Sequence, residues 1–151
     1  MIQTRNIVTE DYNKVMNVLN DWWGGRSMTH LLPRLFFEHF QQTSFIMEKE
    51  NELIGFIIGF ISQTNPQKAY IHFVGVNPIY RKKGHANNLY QLFFNIVQQL
   101  GCKEVSCITT PINTGSIAFH EAMTFTTQVV KDYAGEGQDR VVFTKVLLEQ
   151  Q

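Results

Sequence analysis

The run of residues 69–110 constrains the fold of this chain more than any other part of its sequence. Residues 69–76 are rich in β-branched and aromatic side chains, which is typical of a strand, and residues 104–110 have the same character. Between them, apolar residues recur at the spacing of an amphipathic helix, with Gly101 at its carboxyl end: Ala86, Leu89, Tyr90, Phe93, Ile96, Val97 and Leu100. A strand–helix–strand run of this kind predicts two parallel strands joined by a right-handed crossover.

The remaining segments carry patterns that complete a mixed α/β (α+β) fold. We predict further strands over residues 2–8, 44–49, 53–62, 125–130 and 141–148. Helices are predicted after a cap at Thr9, from Leu32 to Phe40 with Pro33 in the first turn, and through Met123 after a cap at Asn113 or Thr114. The resulting order, β-α-α-β-β-β-α-β-α-β-β, predicts a mostly antiparallel twisted sheet with helices, in one domain over residues 1–151.

Charge and cysteine content argue against several classes of function. The 13 Lys and Arg residues balance 13 Asp and Glu residues, whereas a nucleic-acid-binding protein normally has a basic excess, so we expect no nucleic-acid partner. Cys102, Cys107 and five scattered histidines lack zinc-ligand spacing, so no metal is expected. No apolar run is long enough to cross a bilayer, so we expect a cytoplasmic protein without a membrane partner, with a homodimer as the default assembly.

A basic, glycine-containing turn connects the strand ending at Val76 to the helix beginning near His85. The start of a helix has unpaired main-chain N–H groups and about half a positive charge from the helix dipole, so it can bind phosphate. Gly84 permits positive φ and a close approach, and Ala86 is small for the same reason. Charge suited to a pyrophosphate comes from Arg81, Lys82 and Lys83. The alternative is a solvated basic turn, and neither common glycine-rich nucleotide loop is present.

Two motifs resemble those of the GNAT N-acetyltransferase superfamily. Arg81-x-x-Gly84-x-Ala86, preceded by Val76-x-Pro78, is similar to that family's acetyl-CoA signature, Gln/Arg-x-x-Gly-x-Gly/Ala after a strand. Downstream, Asn113-x-x-Ser116-x-x-Phe119-His120-Glu121-x-x-Thr124-Phe125 resembles Asn-x-x-Ala-x-x-aromatic/Leu-Tyr-Glu-x-x-Gly-Phe in the same spacing. The chain departs from the family at His120, often Tyr, and at Thr124, often Gly. The resemblance implies a GNAT-like sheet of about seven strands with about four helices, whose central parallel strands splay apart.

The resemblance also implies that acetyl-CoA is the co-substrate. Main-chain N–H groups of the turn would hold the CoA pyrophosphate, and the residues concerned are Arg81, Lys82, Lys83, Gly84, His85 and Ala86. The pantetheine arm would lie along Phe73, Val74 and Val76 like an added strand. Asn113 would contact the arm from its other side, and Ser116 would also belong to the cofactor-binding residues. Phe119 and His120 would lie near the thiol.

Acetyl transfer to an amine requires a neutral amine, a donor for the oxyanion and a proton for the departing thiolate. An alkyl amine with a pKa near ~10.4 is mostly protonated, so a base or a water chain must remove a proton. Tyr70 stands where some relatives have Glu, and His72 shares a strand face with it and could accept the proton through water. The N–H of Val74 or of a neighbouring residue is the predicted oxyanion donor, and His120 is the candidate acid. For both histidines the alternative is ordinary packing.

Two segments are candidates for contacting the acceptor. Trp22, Trp23 and Arg26 lie between the first two helices, where the family usually forms the acceptor wall; Arg26 could bind a carboxylate and the tryptophans could stack. Tyr133 lies in the polar loop 132–140. We expect a small-molecule or amino-acid-like primary amine as acceptor. The alternatives are a protein α-amine or lysine, and a non-catalytic acyl-CoA-binding module, because no clear Glu base is present.

Overall fold

The computed structural model describes residues 1–148, which form seven strands and four α-helices in the predicted order. The strands are β1 (Ile2–Asn6), β2 (Phe45–Lys49), β3 (Glu52–Ile61), β4 (Lys68–Val76), β5 (Glu104–Thr109), β6 (Thr126–Val130) and β7 (Arg140–Val146). The helices are α1 (Asp11–Trp22), α2 (Leu35–His39), α3 (His85–Gln99) and α4 (Thr114–Ala122). The predicted mixed sheet with four helices is therefore confirmed.

The strands follow the order β1-β2-β3-β4-β5-β7-β6 in one sheet. β1 with β2, β2 with β3, β5 with β7 and β6 with β7 are antiparallel, whereas β4 and β5 are parallel. The parallel register covers three residue pairs, from Lys68↔Glu104 to Tyr70↔Ser106. The predicted parallel pair thus exists, and its recorded pairs involve only the first part of β4.

The chain divides into two compact units, and the first comprises Met1–Phe60 and Ile71–Gln99. Its largest core cluster takes one face of α1, where Val15, Leu19 and Trp22 are buried at helical spacing. The same cluster includes Phe56 from β3 and Phe73 from β4. α3 buries a separate apolar stripe that contains Leu89, Phe93 and Val97. β4 and α3, which flank the basic turn in the chain, are thus each held by buried apolar side chains.

The second unit comprises Ile61–Tyr70 and Leu100–Gln151. Six residue pairs join β5 to β7 and five join β6 to β7, and α4 precedes β6. Its buried side chains include Val105, Cys107, Phe125 and Phe143. The single-domain organisation predicted from the sequence stays a prediction.

The predicted cap of the first helix is wrong. α1 begins at Asp11, and no side chain caps it. The buried Asp11 carboxylate instead accepts the Val8 N–H at 2.8 Å and pairs with the Arg5 guanidinium at 2.8 Å. Burial by itself raises the pKa of Asp11, but the hydrogen bonds from Arg5 and Val8 outweigh it, so the pKa is lowered. The Asp11 carboxylate, and not a cap at Thr9, thus orders the start of the first helix.

The second helix is shorter than predicted. α2 has five residues and lies between the 3-10 turns Thr29–Leu31 and Gln41–Thr43. Leu32 is in a non-helical conformation, with φ −131° and ψ 72°, because the residue before a proline is sterically disfavoured from the helical region. Pro33 therefore lies between the turn Thr29–Leu31 and α2 instead of within one continuous helix. Among residues 1–148, no helix combines the length and apolarity needed to cross a membrane.

Candidate active site

The connection between β4 and α3 is a braced turn. After Val76 the chain forms a 3-10 turn, Pro78–Tyr80, and α3 then begins at His85. The Asn77 side chain accepts the Ile79 N–H at 3.2 Å and donates to the Leu53 carbonyl at 3.1 Å. Its main-chain N–H donates to the Ile54 carbonyl at 2.7 Å. Asn77, which sequence reasoning did not single out, thus ties the turn to β3.

The start of α3 presents main-chain donors without helical partners. The first bond of the helix runs from the Asn88 N–H to the Gly84 carbonyl at 3.0 Å. The N–H groups of residues 84–87 therefore have no helical carbonyl one turn earlier to which they could donate. Lys82 and Gly84 have positive φ, 63° and 82°. A Cβ placed on Gly84 would meet no atom within 4 Å. The turn is therefore open, and its geometry suits an anionic ligand.

The three basic side chains of the turn differ in what they contact. Arg81 donates from Nε to the Val76 carbonyl at 3.1 Å and from Nη2 to the Trp22 carbonyl at 2.8 Å. Lys82 and Lys83 are exposed, and Lys83 Nζ lies 5.7 Å from the centre of the Tyr80 ring. The Arg81 side chain therefore braces the turn, whereas the two lysines remain on the surface.

β4 alternates between buried and half-buried residues along its length. Ala69, Ile71, Phe73 and Gly75 are buried, and Tyr70, His72, Val74 and Val76 are half-buried. A Cβ on Gly75 would lie 2.7 Å from the Phe56 ring and 3.1 Å from the Trp23 ring, so a larger residue would have to displace these rings. The Trp23 and Phe73 rings meet edge to face, with centres 5.1 Å apart. Both tryptophans pack here, since Trp22 is buried and stacks on Phe56 at 6.1 Å.

His72 contacts the segment that follows α1. Its Nε2 lies 2.7 Å from the Leu31 carbonyl, and because a carbonyl only accepts, this nitrogen carries the proton. Its ring stacks on Phe36 with centres 4.1 Å apart and planes 4° apart. Burial lowers the pKa of His72, although the hydrogen bond to Leu31 opposes the shift. The ring is therefore neutral at pH 7, with its lone pair on Nδ1. No local sequence pattern predicts the bond between His72 and Leu31, since Leu31 lies 41 residues away in sequence.

Tyr70 belongs to the second unit, with Cys107 and Tyr133. Burial raises its pKa to about 12, and interactions with Tyr133 and Cys107 act in the same direction. Burial likewise raises the pKa of the Cys107 thiol to about 12. Both groups are therefore protonated at neutral pH. Tyr133 is exposed, as is Arg26 in the other unit.

α4 holds the second motif. Asn113, one of the two residues predicted as the cap, caps the helix by accepting the Ser116 N–H at 3.2 Å, and it donates to the Thr109 hydroxyl at 3.1 Å. His120 is buried, and its Nδ1 lies 2.7 Å from the Ser116 carbonyl and therefore donates to it. The His120 ring stacks on Phe143 at 4.1 Å and meets the half-buried Phe119 edge to face at 5.3 Å. Burial lowers the pKa of His120, so this ring is also neutral at pH 7.

The predicted residues thus fall into two sets. One unit brings together Trp22, Trp23, Phe73 and Arg81 near the end of β4, with His72 beside Phe36. The other brings Tyr70 near Tyr133, and Asn113, Ser116, Phe119 and His120 along α4. Within residues 1–148, no group of three or more His, Cys, Asp or Glu side chains could hold a metal ion.

Comparison with known proteins gives the family. Residues 12–125 match the acetyltransferase (GNAT) family. L-2,4-diaminobutyric acid acetyltransferases are similar in sequence. The protein from Nocardia farcinica is 27% identical over 59% of this chain and 46% of its own length, and that from Virgibacillus pantothenticus is 29% identical over 54% and 52%. The matched region thus spans about half the length of these relatives.

A solved structure extends the likeness over the whole chain. The diaminobutyrate acetyltransferase from Paenibacillus lautus, in complex with L-2,4-diaminobutyric acid and coenzyme A, is 20% identical, with a TM-score of 0.75 over 100% of this chain and 99% of that one. At this identity the likeness shows the fold alone. The family match covers three quarters of the sequence and contains both motifs. This chain therefore belongs to the acetyltransferase (GNAT) family, as its motifs predicted.

Proposed function

We propose that the protein transfers the acetyl group of acetyl-CoA to a primary amine of a small or amino-acid-like molecule, by direct attack in a ternary complex. The observation that carries the proposal is the open turn at the start of α3, inside a chain of the acetyltransferase family. The acceptor class draws on the relatives, which are named as diaminobutyric acid acetyltransferases. L-2,4-diaminobutyrate is therefore the first acceptor to test.

The CoA pyrophosphate would bind at the turn. Donors would come from the N–H groups of residues 84–87, which have no helical partner, with the helix dipole adding favourable charge. Lys82 and Lys83 are exposed and can approach the phosphates. Arg81 would act differently from its lysine neighbours, because its guanidinium is bonded to two main-chain carbonyls. It would hold the turn in shape instead of contacting the ligand.

The pantetheine arm would lie along Phe73, Val74 and Val76. The recorded pairs between β4 and β5 end at Tyr70, so these residues lie beyond the parallel ladder. An extended arm can hydrogen-bond to such a strand as an added strand does. The Val74 N–H would then donate to the oxyanion of the tetrahedral intermediate. The second motif implies that Asn113, Ser116 and Phe119 also take part in CoA binding.

His72 is the side chain best suited to receive the proton of the amine. Its Nε2–H is committed to the Leu31 carbonyl, which fixes the tautomer and directs the lone pair to Nδ1. Its lowered pKa keeps the ring unprotonated at neutral pH, so it can accept a proton directly or through water. Tyr70 is a poorer base, because a phenol with a pKa of about 12 is protonated at every physiological pH.

His120 is less suited to donate a proton to the thiolate. Its buried ring is neutral at pH 7, with Nδ1–H given to the Ser116 carbonyl, so it carries no readily donated proton. Its contacts with Phe143 and Phe125 are those of a packed core residue. We expect the departing thiolate to take its proton from water or from the proton released by the amine.

The proposal is tested with a panel of primary amines and acetyl-CoA, following release of free thiol. We expect turnover with at least one small amine, and acetyl-CoA binding in calorimetry without any amine. Gly84→Ala adds a methyl group in the open turn at a φ that costs ~1–2 kcal/mol in L-residues. We expect it to raise the KM for acetyl-CoA by about tenfold, which corresponds to ~1.4 kcal/mol.

The matched control is Gly101→Ala, at the other end of the same helix. Gly101 also has positive φ, 101°, and a Cβ there would likewise meet no atom within 4 Å. This variant should lose comparable stability but keep the wild-type KM for acetyl-CoA. Equal KM values in the two variants, or the absence of acetyl-CoA binding by the wild type at millimolar concentration, would contradict the proposal.

A further inference from the structure

The adjacent residues Phe36 and Phe37 of α2 point in different directions. Successive residues of a helix are about 100° apart around its axis, so two neighbouring rings cannot face the same side. Phe37 is fully buried and meets the Tyr12 ring edge to face, with centres 5.5 Å apart. Phe36 is half-buried, and its ring lies on that of His72. Phe37 therefore serves the core, whereas Phe36 also reaches the side chain that we propose as the base.

The contact with Phe36 fixes a rotation of His72 that its hydrogen bond leaves open. The torsion that turns an imidazole about its Cβ–Cγ bond has broad energy minima. The bond from the Nε2–H to the Leu31 carbonyl, 2.7 Å long, holds one corner of the ring. The Phe36 ring holds one face, because its centre lies 4.1 Å away and its plane is within 4° of the imidazole plane. A fixed corner and a fixed face together define the direction of Nδ1.

Phe36 is itself held by a row of aromatic side chains. Phe40 stacks on Phe36 with ring centres 5.1 Å apart, and the Phe40 and Phe60 rings are 5.3 Å apart. Phe60 belongs to β3, so this aromatic row (Phe36, Phe40 and Phe60) connects α2 to the sheet. A helix of five residues is not stable by itself, so α2 depends on contacts of this kind. The row thus places Phe36 against His72.

The charged surroundings of His72 decide how its titration is interpreted. Besides Tyr70 on β4 itself, the elements that contact His72 carry these charged or titratable groups: His30, Arg34, Glu38 and His39. The last three pair with one another, because the glutamate lies 2.7 Å from the arginine and 3.9 Å from the second histidine. The pKa of His72 is lowered by burial and raised by the bond to Leu31. Since Phe36 covers one face of the imidazole, it contributes to that burial.

We infer that Phe36 is a positioning residue for the proposed base: it holds the plane of the His72 imidazole so that Nδ1 stays directed at the amine of the acceptor. The inference rests on the proposed function. Proton transfer requires a hydrogen bond of defined geometry, so a misdirected lone pair slows the removal of the amine proton. Phe36 takes no part in the chemistry itself. Its loss should therefore lower kcat more than it raises either KM.

The kinetic experiment compares substitutions at two adjacent residues, with the best acceptor of the amine panel. Phe36→Leu keeps an apolar side chain but not a flat ring, and we expect kcat to fall about tenfold while both KM values change less than about twofold. Phe36→Tyr keeps the flat ring and should restore most of kcat. Phe37→Leu is the matched control. It makes the same change in a fully buried ring, so it should lower the unfolding free energy but leave kcat within about twofold of the wild type.

A second measurement follows the position of His72 without turnover. An NMR titration of isotope-labelled protein, with His72→Phe to assign the signals, gives the pKa and the tautomer of the ring. We expect the Nε2–H tautomer in the wild type and in Phe36→Tyr. Phe36→Ala opens one face of the ring to water, so the pKa of His72 should rise towards its ordinary value. The fall of kcat/KM at low pH should move to higher pH with it.

The outcomes separate this inference from the proposed function. An unchanged titration and tautomer of His72 in Phe36→Ala, an unchanged kcat in Phe36→Leu, or an equal loss of kcat in Phe37→Leu would overturn the inference and leave the proposed function standing. A wild type that acetylates no amine would overturn the proposed function. The NMR titration needs no acceptor, so it would still support or refute the holding of the ring by Phe36.

Discussion

Thr124 allows a backbone penalty to be measured at a position where the family often has glycine. Its φ is 67°, in the left-handed region, which is strained for a β-branched residue. The strain is tolerated because the turn after α4 is tied down. The Thr124 N–H donates to the Glu121 carbonyl at 2.9 Å, and Lys145 Nζ donates to the Thr124 hydroxyl and to the Met123 carbonyl. Replacement by glycine should relieve the strain.

The magnitude follows from two opposing contributions. An L-residue in the left-handed region costs ~1–2 kcal/mol of stability, which a glycine at this position would recover. The greater freedom of glycine in the unfolded chain offsets ~0.5–1 kcal/mol of that recovery. Thr124→Ala loses the hydroxyl bond and keeps the strain, whereas Thr124→Gly loses the same bond and removes the strain. The glycine variant should therefore be more stable than the alanine variant by about 0.7 kcal/mol, the difference between the middle values of the two contributions.

The comparison is made by urea unfolding of the two variants and the wild type. Because both variants lack the hydroxyl, their difference isolates the backbone from the Lys145 contact. In a chain of this size, 1 kcal/mol corresponds to roughly 2–4 °C in Tm, so denaturant midpoints resolve the difference better than melting curves. A glycine variant that is no more stable than the alanine variant would refute the strain argument.

Two other predictions concern β4. The kcat/KM for the acceptor should fall as the pH is lowered through the pKa of His72, which lies below its ordinary value of 6.5. The reason is that protonation of Nδ1 removes the group that accepts the amine proton. A His72→Phe variant should therefore lack this fall at low pH in its pH–rate profile. Gly75→Ala should cost ~1–3 kcal/mol of unfolding free energy, because its Cβ would lie 2.7 Å from the Phe56 ring, whereas Gly115→Ala, which meets no atom within 4 Å, should not destabilise the protein; equal urea midpoints for the two variants would refute the packing argument.

The fold was largely accessible from the sequence because its signals are local. The spacing of apolar residues placed α3 within a residue or two, and the cap of α4 was narrowed to Asn113 or Thr114, of which Asn113 is the one observed. The break at Leu32 was also accessible, since the rule for a residue before proline applies there, but the run of Leu and Phe around Pro33 suggested one continuous helix.

The candidate site was accessible as a motif but not as a set of contacts. The turn at residues 81–86 was recognised from its glycine and basic residues, which are contiguous in sequence. The bond from His72 to Leu31 joins residues far apart in the chain, and so does the bond from Arg81 to Trp22. Such pairs depend on how α1 and the following turn pack on the sheet, and no periodicity encodes that packing.

The bonding of Arg81 explains why its motif tolerates two chemically different residues at this position. Glutamine carries no charge, yet the family signature accepts it in place of arginine. What the two side chains share is a flat terminal group with N–H donors, and here those donors are directed at the carbonyls of Val76 and Trp22. In this chain the planar donors of Arg81 tie the turn to Trp22, the last residue of α1. Lysine would keep the positive charge but lack the planar set of donors that bonds both carbonyls, which makes it a less conservative replacement than glutamine.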